Sequence, residues 1–96
     1  MRLSELYRNQ FDAGVRSRGA AYFHRGAVRI EFGDAVELNA VVTGSRPYHT
    51  AFYLEEDCLV GYCDCPYYET EGRCKHLWAL LLAADDRGFA RIILVA

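Results

Sequence analysis

The stretch that organises this chain reads CDCPYYETEGRCKH and runs from Cys63 to His76. Its pattern is C-x-C, then eight residues, then C-x-H. Three thiols and one imidazole suit Zn²⁺, which prefers four tetrahedral sulfur and nitrogen ligands. The pattern therefore predicts one structural zinc ion, bound by Cys63, Cys65, Cys74 and His76.

The two ligand pairs need different backbone conformations. Residues i and i+2 of an extended strand point to the same side, so Cys63 and Cys65 can bind one ion from one face of a strand that ends at Pro66. On a helix, residues i and i+2 do not face each other. We therefore expect Cys74 at the N-cap of a helix and His76 in its first turn, where the helix dipole favours a thiolate.

Two other interpretations of these side chains compete with zinc. Disulfides are disfavoured because no signal peptide opens the sequence and because a disulfide within C-x-C closes a strained ring. An ordinary core role is disfavoured because two close pairs, eight residues apart, are hard to reach by chance. Cysteines used as metal ligands fit a reducing compartment, so we expect a cytoplasmic protein.

The zinc motif resembles that of a known family. The C-x-C pair and the run Cys-Lys-His-Leu-Trp-Ala-Leu-Leu-Leu at residues 74–82, in which a leucine-rich helix follows C-x-H at once, are similar to a SWIM zinc finger. Upstream motifs resemble the N-terminal SWIM-containing region of bacterial helicase-like ATPases of the chromatin-remodeller class; they are Arg18-Gly19-Ala20-Ala21-Tyr22 with Gly26 and Val28, and Val42-Thr43-Gly44-Ser45 with Tyr48. The resemblance covers roughly residues 11–84. SWIM fingers also occur in Mutator-type transposases and some ubiquitin-ligase-like signalling proteins. The family is generally taken to bind DNA or another protein, so the resemblance implies a non-catalytic binding module.

The length of 96 residues predicts one domain with a modest core, and such a core often needs a metal. We expect an α+β fold with a helical part at 1–26, antiparallel strands at 27–57, the SWIM zinc finger at 58–88 and an apolar tail at 89–96. The tail predicts either an edge strand or the point where a longer chain was cut. No apolar run reaches the length of a membrane span, so we expect no membrane contact.

Helical periodicity predicts two helices in the N-terminal part. The first covers 3–11, with Ser4 as a possible cap, and the second covers 13–24, with Asp12 as its N-cap. Gly19 weakens the second helix by about 1 kcal/mol relative to alanine. A glycine at this position indicates close packing, and we expect the sheet to be its partner.

Alternating apolar and polar residues predict an antiparallel sheet of about four strands, which cover 28–32, 36–43, 48–55 and 58–65. Phe32 is expected on the buried face together with Ile30. Cys58 lies five residues before Cys63 and therefore points to the opposite face. We expect Cys58 to be a small buried residue and not a ligand.

A last helix is predicted at 75–86. Its apolar residues cover much of its circumference, so we expect it in the core; they are Leu77, Leu80, Leu81 and Ala84, with Trp78 and Leu82 beside them. Asp85 and Asp86 are unfavourable at a helix C-terminus, and Gly88 is a natural residue to end the helix. The loop at 66–73 has little apolar content, so we expect the metal to order it.

Charge is distributed unevenly along the chain, whose formal net charge is −2. Residues 1–30 carry six arginines and two acidic residues, a net charge of +4, and the remainder carries five basic and eleven acidic residues, a net charge of −6. Zinc and three thiolates would bring the total to about −3. The chain is therefore not a general polyanion binder, and any contact with nucleic acid must be local.

Four protein ligands leave no open position on the metal, so we expect no enzyme activity and no small-molecule substrate. A weak, salt-sensitive contact with DNA or RNA is predicted at four basic residues, namely Arg16, Arg18, Arg73 and Lys75, beside Tyr67 and Tyr68, which could stack on bases. The alternative is a zinc-stabilised protein–protein interaction module that uses residues 55–57, the loop at 66–70 and the tail. The resemblance implies a helicase-like ATPase as one such partner. His24 and His49 lack ligand spacing and are expected at the surface or half-buried.

Overall fold

The computed structural model describes residues 2–34, 36–56, 58–71 and 73–89, with only the backbone described at 69–71. In chain order, helices precede and follow a group of strands. Three helical segments come first, namely α1 (Leu3–Tyr7), a short 3₁₀ helix (Arg8–Gln10) and α2 (Ala13–His24). Four strands and two helices follow: β1 (Val28–Gly33), β2 (Glu37–Thr43), β3 (Pro47–Glu55), β4 (Cys58–Cys63), α3 (Pro66–Glu71) and α4 (Lys75–Asp86). The predicted α+β class is confirmed, whereas nearly all of the predicted tail at 89–96 lies outside the described residues. No helix in the described ranges is long and apolar enough to cross a membrane.

The strands form one antiparallel sheet in the order β1-β2-β3-β4. Because side chains alternate along a strand, one face of the sheet, called here the inner face, carries the apolar core residues. Leu38, Phe52 and Gly61 lie side by side on this face across β2, β3 and β4. Leu38 and Phe52 are buried there, as the predicted alternation requires.

Phe32 departs from this alternation. The register of β1 with β2 shifts between Ile30 and Phe32, so that Ile30 lies opposite Ala40 but Phe32 lies opposite Asn39. One extra residue in a strand turns the following side chains to the other face. The prediction that Phe32 is buried beside Ile30 is therefore wrong: Phe32 lies on the opposite, outer face and is 51% exposed.

Helix α4 forms the centre of the core. It packs against α1 and α2 and also against all four strands. The predicted apolar stripe is completely buried, with 0% exposure at Leu77, Leu80, Leu81 and Ala84. Burying one leucine side chain stabilises a fold by about 1.5–3 kcal/mol, so this helix holds the helical layer against the sheet.

Gly19 is a position where α2 packs tightly against α4. A Cβ atom placed on Gly19 would lie 2.6 Å from the carbonyl oxygen of Lys75 and 2.8 Å from Cδ1 of Trp78. Close packing was predicted correctly, but the expected partner was wrong, because Gly19 packs against a helix and not against the sheet. This contact fixes the position of α2 relative to the first turn of α4.

Asp85 explains why the end of α4 contains an acidic residue. Its carboxylate accepts hydrogen bonds from the backbone N–H of Leu3 at 2.6 Å, from the backbone N–H of Ser4 at 3.1 Å and from Ser4 Oγ at 2.6 Å. The N-terminus of α1 is thus capped by a side chain of α4, which suits the positive end of a helix dipole. The prediction that Ser4 caps its own helix is wrong, since Ser4 lies within α1 and Arg2 is the N-cap residue.

The other helix boundaries follow the prediction closely. The predicted span 3–11 divides into α1 and the 3₁₀ helix. Asp12 is the N-cap residue of α2, although its side chain makes no capping hydrogen bond. Gly88 has a φ of 81°, so it ends α4 in the left-handed conformation that glycine adopts without strain.

Candidate metal centre

The first ligand is placed by strand β4. Exposed and buried residues alternate along this strand, and Cys63, its last residue, is buried on the inner face at 1% exposure. Cys58 points to the outer face, as predicted, but it is exposed and not buried. Val60 and Tyr62 on the same face of β4 are 40% and 47% exposed, so the outer face of this strand is open.

The second ligand lies beyond the strand. Cys65 comes just before α3, and the backbone N–H of Tyr68 donates a hydrogen bond to Cys65 Sγ at 3.3 Å. The prediction that Cys63 and Cys65 share one strand face is therefore wrong, as is the prediction of an irregular loop at 66–73. The missed signal is Pro66, because proline favours the first position of a helix.

The remaining ligands are placed by the start of α4, as predicted. Cys74 is the N-cap residue, with extended backbone angles of φ −92° and ψ 166°, and the helix begins at Lys75. His76 lies in the first turn. The change from extended to helical backbone lets Cys74 and His76 face the same site, and both are buried, at 0% and 3% exposure.

These four side chains form one compact, buried cluster. Their candidate ligand atoms all lie within 4.8 Å of one another, and Cys63 Sγ lies 3.8 Å from His76 Nδ1. Two atoms bound to one tetrahedral zinc are roughly 3.5–3.8 Å apart, given its usual bond lengths. The cluster therefore fits one zinc ion. No further Cys, His, Asp or Glu of the described ranges joins it, and His24 and His49 are exposed elsewhere, as predicted.

The cysteines of the cluster differ in their tendency to ionise. The hydrogen bond from the Cys63 thiol lowers the pKa of Cys74 to about 4, although burial opposes this shift. The same hydrogen bond, together with burial, raises the pKa of Cys63, and burial raises the pKa of Cys65. These directions favour a thiolate at Cys74 and protonated thiols at Cys63 and Cys65 in the cluster without metal. Because zinc binds thiolates, loading the site displaces the protons of Cys63 and Cys65.

The imidazole of His76 is held between two tyrosine rings. Its ring stacks on Tyr48 at a centroid distance of 4.3 Å and lies 5.3 Å from the ring of Tyr22. Its Nε2 atom is buried and has no hydrogen-bond partner among the described residues. The other ring nitrogen, Nδ1, faces Cys63 Sγ, so Nε2 is the one ring nitrogen left without a described partner, and a buried unpaired nitrogen is compatible with a metal ligand. Both tyrosines belong to the upstream motifs, but nothing in their spacing revealed that they pack against a ligand.

The four basic residues predicted to bind nucleic acid do not all line one cavity. Arg18 and Lys75 line one small cavity together with Val15 and Tyr67. Arg16 is engaged within the fold, because its Nη1 donates to the carbonyl oxygens of Arg8 at 3.0 Å and Phe11 at 2.7 Å; Arg73 lines a separate groove beside β4, together with Tyr68. The structure thus brings Arg18 and Lys75 to one cavity, and Arg16 and Arg73 are not among its lining residues.

Comparison with known proteins agrees with this geometry. No curated protein and no solved structure matches the chain. The family model of the SWIM zinc finger matches residues 48–85. Apart from Tyr48, the upstream motifs lie outside this match, so their resemblance to helicase-like ATPases stays a prediction. Residues 48–85 are thus similar to a SWIM zinc finger, and their four Cys and His side chains are positioned to bind one zinc ion.

Proposed function

We propose that this chain is a zinc-dependent, non-catalytic module that makes a weak, salt-sensitive contact with DNA or RNA. It would act as an accessory to a motor or partner protein, of which a helicase-like ATPase is one candidate. The observation that carries this proposal is the convergence of Arg18 and Lys75 on one cavity beside Tyr67. These residues come from α2, α4 and α3, so only the folded zinc site assembles them.

The start of α4 supports an anion at this position. A helix N-terminus carries partial positive charge and unpaired backbone N–H groups, which favour phosphate. Lys75 is the first residue of α4, and its Nζ lies 5.5 Å from the centre of the Tyr22 ring. Tyr67 is 39% exposed and can stack on an unpaired base. Two cations, a helix N-terminus and an aromatic ring therefore suit one or two nucleotides.

The affinity expected from so small a surface is low. Few phosphates are contacted, and the net charge of −6 beyond residue 30 repels the rest of the nucleic acid. We therefore expect a dissociation constant on the order of micromolar or weaker at physiological salt. Such an affinity suits a module whose local concentration is raised by attachment to a partner.

A non-catalytic role is supported by the ligand set. Catalytic zinc keeps one coordination position open for water or substrate, whereas structural zinc has four protein ligands. Cys63, Cys65, Cys74 and His76 would fill all four positions. Zinc would then contribute folding energy and would not activate water.

A salt titration with single- and double-stranded DNA and RNA tests the proposal. We expect Arg18→Glu and Lys75→Gln each to weaken binding, and each to reduce the salt slope by about 1. Arg87→Glu is the matched control, because Arg87 is an exposed arginine at the other end of α4. Zinc content should be unchanged in all three variants. Equal weakening by Arg87→Glu, or no binding of wild type at low salt, would contradict the proposal.

A protein-interaction role is the second candidate, and a specific observation favours it. Phe32, Val60 and Tyr62 are exposed apolar side chains on the outer face of the sheet. Phe32 lies on β1 and the other two on β4, at opposite edges of this face. Exposed apolar side chains on one face are a feature of protein contact sites. If nucleic acid fails to bind, this face becomes the surface to test, together with the residues 55–57 and 66–70 predicted from sequence.

A further inference from the structure

Strand β4 is an edge strand whose free side borders a groove. In the described part of the chain, β4 pairs only with β3. The groove has a volume of about 290 Å³ and is lined by Cys58, Leu59, Val60, Gly61, Tyr68 and Arg73. Four consecutive residues of the strand thus form one wall.

Backbone hydrogen-bonding groups of β4 face this groove. The hydroxyl of Tyr68 donates to the carbonyl oxygen of Gly61 at 2.8 Å, which shows that this carbonyl points away from β3. In an antiparallel pair, every second residue directs its N–H and C=O to the same side. The N–H and C=O of Leu59 therefore point into the groove as well, where β3 cannot reach them.

Arg73 gives the groove a charge. It is exposed, and no described residue forms an ion pair with it. The outer face of β4 continues the apolar lining, since Val60 and Tyr62 are exposed. Among the residues whose side chains the structure describes, the groove thus combines strand backbone that β3 does not pair, apolar side chains and the exposed cation of Arg73.

We propose that this groove binds an extended peptide, which adds a fifth strand beside β4 and presents an acidic side chain to Arg73. Peptides add to sheet edges through main-chain hydrogen bonds, while side-chain pockets give specificity. Leu59 would supply the main-chain pairing, and Val60 and Tyr62 would contact alternate side chains of the added strand. The proposal is independent of the nucleic-acid contact, which uses other residues.

Charge disfavours nucleic acid in this groove. Glu55 and Glu56 come just before β4 and repel phosphate. Arg73 is the one cation among the lining residues that the structure describes, whereas Arg18 and Lys75 line a different cavity. A protein segment with one acidic residue fits this charge pattern better than a strand of phosphates.

Tyr68 limits how the added strand can lie. Its hydroxyl already donates a hydrogen bond to the Gly61 carbonyl oxygen, and its ring lies 5.7 Å from that of Tyr62. Covering part of an edge protects it from unselective pairing. The open segment is therefore short, from Cys58 to Gly61, which suits a short peptide.

The test uses the zinc-loaded chain and a soluble peptide of alternating threonine and valine that carries one aspartate. We expect the peptide to shift the amide resonances of Leu59 and Gly61 and to slow hydrogen exchange at Leu59. Arg73→Glu should lower the affinity for the aspartate peptide about two- to fivefold, as loss of an exposed ion pair does. The same variant should raise the affinity for a peptide with lysine in place of aspartate. Arg18→Glu should leave peptide binding unchanged, even if it abolishes nucleic-acid binding.

Two N-methylated peptides test the strand pairing itself. Methyl groups on alternate peptide nitrogens block donation toward the protein in one peptide and toward solvent in the other. We expect one peptide to lose binding and the other to keep it; equal binding by both would overturn the proposal. The proposal would also be overturned if an oligothymidine displaced the peptide and shifted the same amides, because nucleic acid would then occupy the groove. A dimer of the free chain in which the Leu59 amide is protected would overturn it too, because a second copy would then occupy the edge.

Discussion

At the scale of single residues, the direction of a side chain separates the ligands from the remaining cysteine. Cys58 and Cys63 belong to one strand but lie on opposite faces, and only Cys63 reaches the cluster. We predict that Cys58→Ser keeps one zinc ion per chain, whereas Cys65→Ser loses tight binding because one of four ligands is gone. Elemental analysis of both purified variants checks this. Loss of zinc from Cys58→Ser would show that the ligand set is wrong.

A second prediction at this scale concerns Gly19. Alanine normally stabilises a helix position by about 1 kcal/mol over glycine, but here its Cβ would meet the Lys75 carbonyl at 2.6 Å. Backbone cannot move aside cheaply, so we expect Gly19→Ala to destabilise the zinc-loaded chain by about 1–3 kcal/mol. Because Lys75 lies between the ligands Cys74 and His76, the variant should also bind zinc more weakly.

The matched control for this prediction is Gly14→Ala in the same helix. A Cβ on Gly14 would meet only the guanidinium of Arg18, whose Nη1 would lie 3.3 Å away, and a long exposed side chain can move away. We expect this variant to be neutral or more stable by up to about 1 kcal/mol. Urea unfolding of both variants measures the difference. Equal effects at the two glycines would mean that contact with α4 is not what selects glycine at position 19.

At the scale of elements, Asp85 joins the first helix to the last. Asp85→Ala would leave the N–H groups of Leu3 and Ser4 without their acceptor, which costs about 1–3 kcal/mol. Asp86→Ala is the control, because Asp86 is exposed and lies at an unfavourable helix C-terminus. We expect thermal unfolding to show a clear loss for Asp85→Ala and little change or a gain for Asp86→Ala. The reverse order would contradict the capping role.

The elements also show how far the sequence could predict the fold. Helix α4 and the strands were predictable because a periodic pattern in the sequence directly sets which face is buried. Helix α3 was missed because it is only six residues long, too short to be stable alone. Its contacts run from Tyr68 to Cys65, just before the helix, and to Gly61 in β4. The bulge that turns Phe32 outward leaves no local signal either.

Part of the candidate site could likewise be predicted from the sequence, and part of it could not. The four ligands and the N-cap position of Cys74 follow from local spacing and backbone geometry. The tyrosines that enclose His76 and the approach of Arg18 to Lys75 depend on how α2 packs against α4. Periodicity gives the buried face of a helix but not its partner, which is also why Gly19 was assigned to the sheet.

At the scale of the whole molecule, the zinc site lies where separate elements meet. Its ligands come from the end of β4, the residue before α3 and the first turn of α4. Loss of the metal should therefore affect these three ends together. The C-terminal half of α4 differs, because Leu80, Leu81 and Ala84 are completely buried in the core without help from the metal.

We therefore predict a graded response when a strong chelator removes zinc. Binding free energy of a structural metal is also folding free energy, so hydrogen exchange should accelerate most at residues 63–76, which contain α3 and all four ligands. Protection should fall less from Leu77 to Ala84 and least in β1, β2 and β3. Mass-detected exchange before chelation, after chelation and after adding zinc back measures this order. Unchanged exchange at 63–76 in the metal-free chain would refute the view that zinc folds this segment.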